Sequence, residues 1–341
     1  MLARSENRGL GIQGWEFYRH VKPDRTLLVD MGELARGFDL FPERFPDATV
    51  AEFRDGMFDE ALVRGWLEGL DVVFTAETFY DWRMIDWARS MGVATVVQVN
   101  PEFYRHAVDE LPEPTVWWAP SPWRMNHLPD TARLVGVPIA GDRFPMRIPE
   151  RDGPVRFLHV AGHRAAGDRN GTLQLLQALR VLRQPMTVRL LTQDPKLPRL
   201  RPQRAVVVET ETRGRPNYWD LYSDADMLVM PRRYGGLCLP VQEAMACGLG
   251  VVMTDTSPND WWPTIRVRGG NRGVLNTGTG PVRMFAATPR ALGETLDRLA
   301  KNPAEVLTSQ QAGLEWAEAH TWDAMLPQYV DELERAADRG T

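Results

Sequence analysis

Residues 231–255 read PRRYGGLCLPVQEAMACGLGVVMTD. An apolar run, DMLVMP (226–231), leads into this stretch, and a second one, GVVMTD (250–255), leaves it. Between them Pro240 suits the first turn of a helix, where its missing N–H costs nothing, and Gly248 suits the position just past the helix end. The order strand, loop, helix, strand is the repeating unit of a parallel α/β sheet. Gly235 and Gly236 let backbone N–H groups come close to a ligand, and the helix amino terminus adds partial positive charge, so a diphosphate would be stabilised there. Glu243, near the end of the first turn, either accepts hydrogen bonds from vicinal ribose hydroxyls or complements the helix dipole.

The same alternation extends in both directions. TLLVD (26–30), TVAEF (49–53), DVVFTA (71–76), ATVVQVN (94–100) and TVWWAP (115–120) read as buried strands, with helical spacing over 57–67 and 81–91. After a Pro-, Gly- and Arg-rich stretch at 136–154, a second series begins with VRFLHVAG. It continues through a helix at about 171–183, TVRLLTQ (187–193), AVVVET (205–210), a short helix near 217–224, and the opening segment. Two doubly wound, Rossmann-like units are expected, over 1–145 and 146–321. Ligands of open α/β sheets bind outside the carboxyl ends of the strands, which makes a cleft between the two units the expected site.

A length of 341 residues suits two domains, and the composition, 43% hydrophobic and 25% charged, contains no apolar run long enough to span a bilayer. The amino terminus lacks the apolar core of a signal peptide, and with only Cys238 and Cys247 present a reducing cytoplasm is the expected compartment. Residues 1–150 hold 16 Arg/Lys against 24 Asp/Glu (−8) and the remainder 24 against 21 (+3). A uniformly basic face for nucleic acid is excluded; clusters such as 196–204 and 266–272 read as solvated loops or as local anion sites. The six histidines show no metal-ligand spacing, and two cysteines nine residues apart do not make a zinc site, so no metal and no cofactor is expected. Cys238 and Cys247 flank a two-turn helix and are expected to pack in the interior.

A second constellation supports the anion reading. In VRFLHVAGHRAAGDRNGTLQLLQAL (155–179) a strand runs into a basic, Gly-containing loop and then a helix near Thr172. Arg164 and Arg169 on such a loop either neutralise a diphosphate or are solvated.

With these residues in view, the carboxyl half resembles the donor domain of family 4 glycosyltransferases, retaining enzymes of the GT-B fold. Their usual Glu-Gly-Phe-Gly-Leu-Pro-x-x-Glu-Ala-x-Ala-x-Gly-x-Pro-Val-Val maps onto residues 235–252 of this chain, and their Gly-Arg…Lys-Gly loop is echoed by Gly162, His163 and Arg164 with Arg169, Asn170 and Gly171. HTWDAM (320–325) is similar to the family's closing aromatic segment, which implies a helix at about 322–341 packing back on the first unit. There are two departures: Gly235 stands where the first glutamate of the Glu-x7-Glu motif belongs, and Arg169 where the diphosphate-binding lysine belongs. The resemblance implies a nucleotide-sugar donor, UDP- or GDP-linked, held by Gly162, His163, Arg164, Arg169, the Gly235–Leu239 segment (with Gly236, Leu237 and Cys238), and Glu243 on the ribose. It implies transfer to an acceptor hydroxyl with retention and without a metal, the backbone at Gly235 acting on the departing diphosphate.

In the amino half, Gly9, Gly11 and Gly14 precede an expected helix at about Trp15–His20; they look similar to the cleft loop of GT-B enzymes, which makes Gly11 a donor contact, or they form a plain helix entry. Glu77, Asn100 and Glu102 fall at strand ends, and Glu77 or Glu102 either touches acceptor or sugar or caps a loop. Trp261 and Trp262 either stack on a base or sugar or pack. The glycine-rich amino terminus together with 232–244 also resembles compact glycosyltransferases of phages of GC-rich hosts, some of which modify hydroxylated DNA bases. Two other readings stay open: a nucleotide-sugar epimerase or hydrolase, and a nucleotide-sugar-binding module without turnover.

Overall fold

The computed structural model describes residues 1–35, 39–100, 111–150, 152–162, 168–192, 206–212, 217–277 and 280–340. It divides into two units, Met1–Pro138 with Trp322–Thr341, and Ile139–Thr321. Each is a Rossmann-like parallel α/β sheet flanked by helices.

The first unit carries β1 (Leu2–Ala3), β2 (Leu27–Asp30), β3 (Thr49–Glu52), β4 (Val72–Ala76), β5 (Ala94–Gln98), β6 (Val116–Ala119) and β7 (Arg133–Leu134) in the order β3-β2-β1-β4-β5-β6-β7, all parallel. The order reverses between β1 and β4. Strand β5 is buried along its whole length, as a parallel strand covered on both faces should be. Helices α1 (Gly9–Val21), α2 (Glu60–Leu67) and α3 (Arg83–Ser90) cover it, and Val29, Val63, Val73, Met84, Val97 and Trp117 belong to its core. The carboxyl-terminal helix Trp322–Gly340 lies on this sheet: Gln98 donates to the Tyr329 hydroxyl (3.1 Å), and that hydroxyl donates to the Gly136 carbonyl (2.7 Å).

The second unit places β8 (Arg156–Gly162), β9 (Met186–Thr192), β10 (Val206–Glu211), β11 (Met227–Met230), β12 (Gly250–Thr254) and β13 (Ile265–Val267) in the order β10-β9-β8-β11-β12-β13, again all parallel, with the reversal between β8 and β11. Helices α4 (Thr172–Ala178), α5 (Leu239–Ala246), α6 (Pro289–Lys301) and α7 (Pro303–Ala319) pack around a core that includes Phe157, Leu175, Val188, Val229, Val252 and Leu296. No described helix is long and apolar enough to cross a membrane.

Three local expectations differ from the structure. Helix α1 starts at Gly9, so Gly9, Gly11 and Gly14 lie within it rather than in a loop ahead of it. Glycine is a poor helix former, which misplaces the start, but the helix sits so close to the segment after β1 that a Cβ on Gly11 would stand 1.8 Å from the Glu6 carbonyl oxygen. The helix expected near 217–224 is a 3-10 turn, Tyr218–Tyr222. The basic segment 266–272 is not a loop: Arg266 lies in β13 and Arg272 in β14 (Gly269–Thr277), which pairs antiparallel with β15 (Gly280–Ala287). Glycines at 269, 270, 273 and 280 hide that hairpin from strand propensity.

Candidate active site

The reversal between β8 and β11 opens a crevice at the carboxyl ends of those strands, where open α/β sheets bind ligands. Two loops converge there. Past Gly162, which closes β8, His163 and Arg164 fall outside the described residues. The loop re-enters at Asp168, whose carboxylate accepts from the Thr172 and Leu173 amides (3.1 and 2.9 Å) and so caps α4. Asn170 donates back to the Val160 and Ala161 carbonyls (3.2 and 3.3 Å), tying the loop to β8. The second loop, Pro231–Cys238, is joined to the first by a hydrogen bond from the Arg233 amide to the Arg169 carbonyl (2.8 Å), and to β15 by one from the Phe285 amide to the Arg233 carbonyl (3.0 Å).

Gly235 is the centre of this arrangement. Its φ of +108° favours glycine. A Cβ there would lie 2.4 Å from Arg169 Nη2 and 2.4 Å from Arg232 Nη2, so the two nitrogens are at most 4.8 Å apart (2.4 plus 2.4). Both guanidinium groups therefore rest on the bare Cα of Gly235. Arg232 is 2% exposed and donates from Nε to the Tyr234 carbonyl (3.0 Å); the Arg169 guanidinium lies 5.7 Å from the centre of the Tyr234 ring. Two unit charges at that spacing repel by about 3 kcal/mol at an effective dielectric of ~20, and an anion seated between them reverses the sign. Helix α5 adds its amino terminus, where no side chain caps the first turn and no acidic residue stands in it. Gly236, Leu237, Cys238 and Leu239 carry the chain from the arginines to that helix start. Arg232 had no place among the sequence candidates although it sits in the opening stretch.

Glu243 lies half-buried in α5 and accepts a hydrogen bond on Oε2 from the Tyr222 hydroxyl. Tyr222 is 1% exposed, and burial, then the Glu243 charge, push its phenol well above the usual range. The same two causes push the Cys247 thiol up to about 12. Both groups stay protonated around Glu243, which makes Tyr222 a permanent donor. Both cysteines are free and buried at the two ends of α5. Below the crevice His159 in β8 is fully buried, bonded at Nδ1 to the Val229 carbonyl (2.7 Å) and at Nε2 to the Thr172 hydroxyl (2.8 Å). Burial holds its pKa down at about 4, so the ring is neutral: Nδ1–H donates to β11 and Nε2 accepts from the first residue of α4. It pins both walls of the crevice.

A pocket of about 640 Å³ lies elsewhere in this unit, among Arg143, Phe144, Arg147, Trp219, Tyr222 and Cys247. Ser223 and Asp224, just before β11, and Leu249, just before β12, also line it, which puts it toward the amino ends of those strands. The strand-end topology and the paired arginines favour the crevice over this hollow.

The first unit has its own polar cluster at its reversal point. Glu77, after β4, accepts from Asn100 Nδ2, after β5 (3.3 Å), while Asn100 Oδ1 is buried with no hydrogen-bond partner among the described residues. Arg4 and Glu6, after β1, form an ion pair (2.7 Å), and burial pushes the Glu6 carboxyl up against the opposing pull of Arg4. Tyr80, whose phenol is raised by burial, feels the charges of Arg4, Glu6 and Glu77. Glu77 and Tyr80 both adopt positive φ (71° and 63°), a strained state for such residues that concentrates at functional sites. The structure thus brings Glu77 and Asn100 together, adds Arg4, Glu6 and Tyr80, which the sequence did not single out, and leaves Glu102 outside the described residues. Trp262 is buried and packs beside Trp261 (5.6 Å between ring centres).

Residues 155–301 match the family model described as glycosyl transferases group 1. Among solved structures, HepE of Anabaena in complex with UDP and glucose matches at 10% identity and a TM-score of 0.65, over 98% of this chain and 99% of that one. A glycosyltransferase of Rickettsia africae ESF-5 matches at 11% and 0.66 over 98% and 97%. The sucrose-phosphate synthase of Thermosynechococcus elongatus matches at 15% and 0.66 over 100% and 96%. No curated protein matches significantly. The fold is GT-B, residues 155–301 of the second unit match the group 1 glycosyl transferase model, and the two findings together support a glycosyltransferase enzyme.

Proposed function

We propose that the protein transfers a sugar from a UDP- or GDP-linked donor to an acceptor hydroxyl, with the anomeric configuration retained, as in the family 4 enzymes it resembles. The observation that carries this reading is the convergence of Arg169 and Arg232 on Gly235, at the amino terminus of α5. As the bond from the sugar C1 to the β-phosphate oxygen breaks, negative charge grows on that phosphate, and preorganised cations and helix N–H groups stabilise it without reorganising. Two guanidiniums supply charge that a divalent cation would otherwise bring. The acceptor oxygen forms the new bond to C1, and its proton leaves to the departing phosphate oxygen. Glu243, held by Tyr222, takes the ribose hydroxyls.

UDP is the first nucleotide to test, since the Anabaena neighbour has been crystallised with UDP and with UDP-glucose. The acceptor is assigned to the Glu77–Asn100 cluster of the first unit, where Asn100 holds the Glu77 carboxylate and Glu77 and Tyr80 carry positive φ. A hydroxylated DNA base is one such acceptor. The test is mass-spectrometric: UDP- and GDP-sugars are incubated with a panel of hydroxyl acceptors that includes DNA with hydroxymethylated bases. Glycosylated acceptor supports the reading; free or epimerised sugar as the only product replaces it with hydrolase or epimerase chemistry, and nucleotide-sugar binding without turnover replaces it with a binding module.

A further inference from the structure

Glu243 is a flexible side chain asked to present a carboxylate in one orientation. Three torsions must be frozen for that, at a cost that weakens any ligand it holds unless the protein has frozen them beforehand. The structure shows how they are frozen. Tyr222 ends the 3-10 turn that precedes β11, is 1% exposed, and donates its hydroxyl to Glu243 Oε2 across 21 residues of sequence. Its ring is walled by Phe144 (6.5 Å between centres, edge-on). The backbone on either side of it is fixed from below: Arg189 of β9, 8% exposed, donates from Nη2 to the carbonyls of Leu221 and Ser223. A buried cation on the central sheet therefore anchors the turn, the turn anchors the phenol, and the phenol anchors the carboxylate. Glu243 keeps part of its surface in solvent, as a ligand-facing group must.

We propose that Tyr222 is a positioning residue for the donor: it holds the Glu243 carboxylate in the orientation that accepts the 2′- and 3′-hydroxyls of the nucleotide ribose. This rests on the reading of Glu243 as the ribose ligand and names the residue on which its selectivity depends. Tyr222 touches no substrate. Its contribution is to ribose recognition, so its loss shows in the part of the affinity that depends on those hydroxyls and not in the part that depends on the diphosphate.

The full chain, Tyr222→Phe and Glu243→Gln are titrated calorimetrically with UDP and 2′,3′-dideoxy-UDP, and with the matching GDP pair. Phenylalanine keeps the ring against Phe144, so the variant retains its fold, which a melting curve checks. The wild type is expected to prefer the hydroxylated nucleotide by about tenfold or more, the usual range for a hydrogen bond to a charged group. In Tyr222→Phe that preference shrinks at least threefold while affinity for the dideoxy form stays within about twofold, and in Glu243→Gln it shrinks further. A Tyr222→Phe variant with the wild-type preference, or one that loses affinity equally for both nucleotides as a structural lesion would, overturns the inference. A wild type that binds both forms equally removes the ribose role of Glu243 and the inference with it. Binding of neither UDP nor GDP refutes the donor site itself.

Discussion

Replacing Gly235 by alanine probes the donor site with one methyl group. The added Cβ would meet Arg169 Nη2 and Arg232 Nη2 at 2.4 Å each, and Arg169 Nε at 2.7 Å. Both guanidiniums must retreat by roughly 1 Å to reach ordinary contact, enough to take a 2.9 Å hydrogen bond to phosphate out of its useful range. Hydrogen bonds to a charged group contribute about 1.5–3 kcal/mol each, so losing both weakens diphosphate binding by about 3 kcal/mol or more, over 100-fold. The positive φ of +108° adds a folding penalty of its own, about 1–3 kcal/mol in an alanine. The assay is calorimetric titration with UDP and with uridine, below the melting temperature of the variant. UDP affinity should fall by two orders of magnitude and uridine affinity by less than about threefold, because uridine carries no phosphate. UDP affinity within threefold of wild type, or an equal loss for uridine, refutes the placement of the diphosphate at Gly235.

Other expectations follow from buried groups. His159 has a folded pKa of about 4 against 6.5 in the unfolded chain, so the unfolded state takes up the proton first. Its contribution to stability is intact above pH 6.5 and is lost as pH falls toward 4, by about 3 kcal/mol in all. Denaturant titrations across that window should show a shallower pH slope in His159→Gln, by about one proton; an unchanged slope contradicts the neutral ring. Gly11→Ala should lower the melting temperature, although alanine in a helix interior ordinarily stabilises by about 1 kcal/mol over glycine. The reason is the 1.8 Å approach to the Glu6 carbonyl, a backbone atom that cannot swing aside. Asn100→Leu should raise the KM for acceptor with little change for donor, since Asn100 donates to the Glu77 carboxylate assigned to the acceptor; a donor effect of the same size contradicts that assignment.

Much of the architecture was legible because parallel strands buried on both faces announce themselves as short apolar runs, as DMLVMP and GVVMTD do at β11 and β12. The β14–β15 hairpin was not, since its glycines remove the side chains that alternation is read from. In the site, Gly235, Arg169 and Glu243 stood out through local spacing. Arg232 did not: an arginine on a loop reads as solvated, and its burial depends on Arg169 arriving from a loop some 60 residues earlier onto a position without a side chain. Tyr222 was hidden for the same reason, its partner lying a strand and a loop away. His159 looked like an ordinary strand residue because both of its partners come from other elements. Each of these contacts is non-local, and local pattern carries no information about such pairs.

The central claim, that two cationic turns hold a diphosphate with a carboxylate on the neighbouring ribose, is tested most directly by a crystal structure of this chain with UDP or GDP bound. The account predicts the β-phosphate within about 3 Å of the Arg169 or Arg232 guanidinium, and the ribose hydroxyls on Glu243. A nucleotide seated instead among Arg143, Arg147 and Trp219, with the Gly235 loop empty, would contradict it.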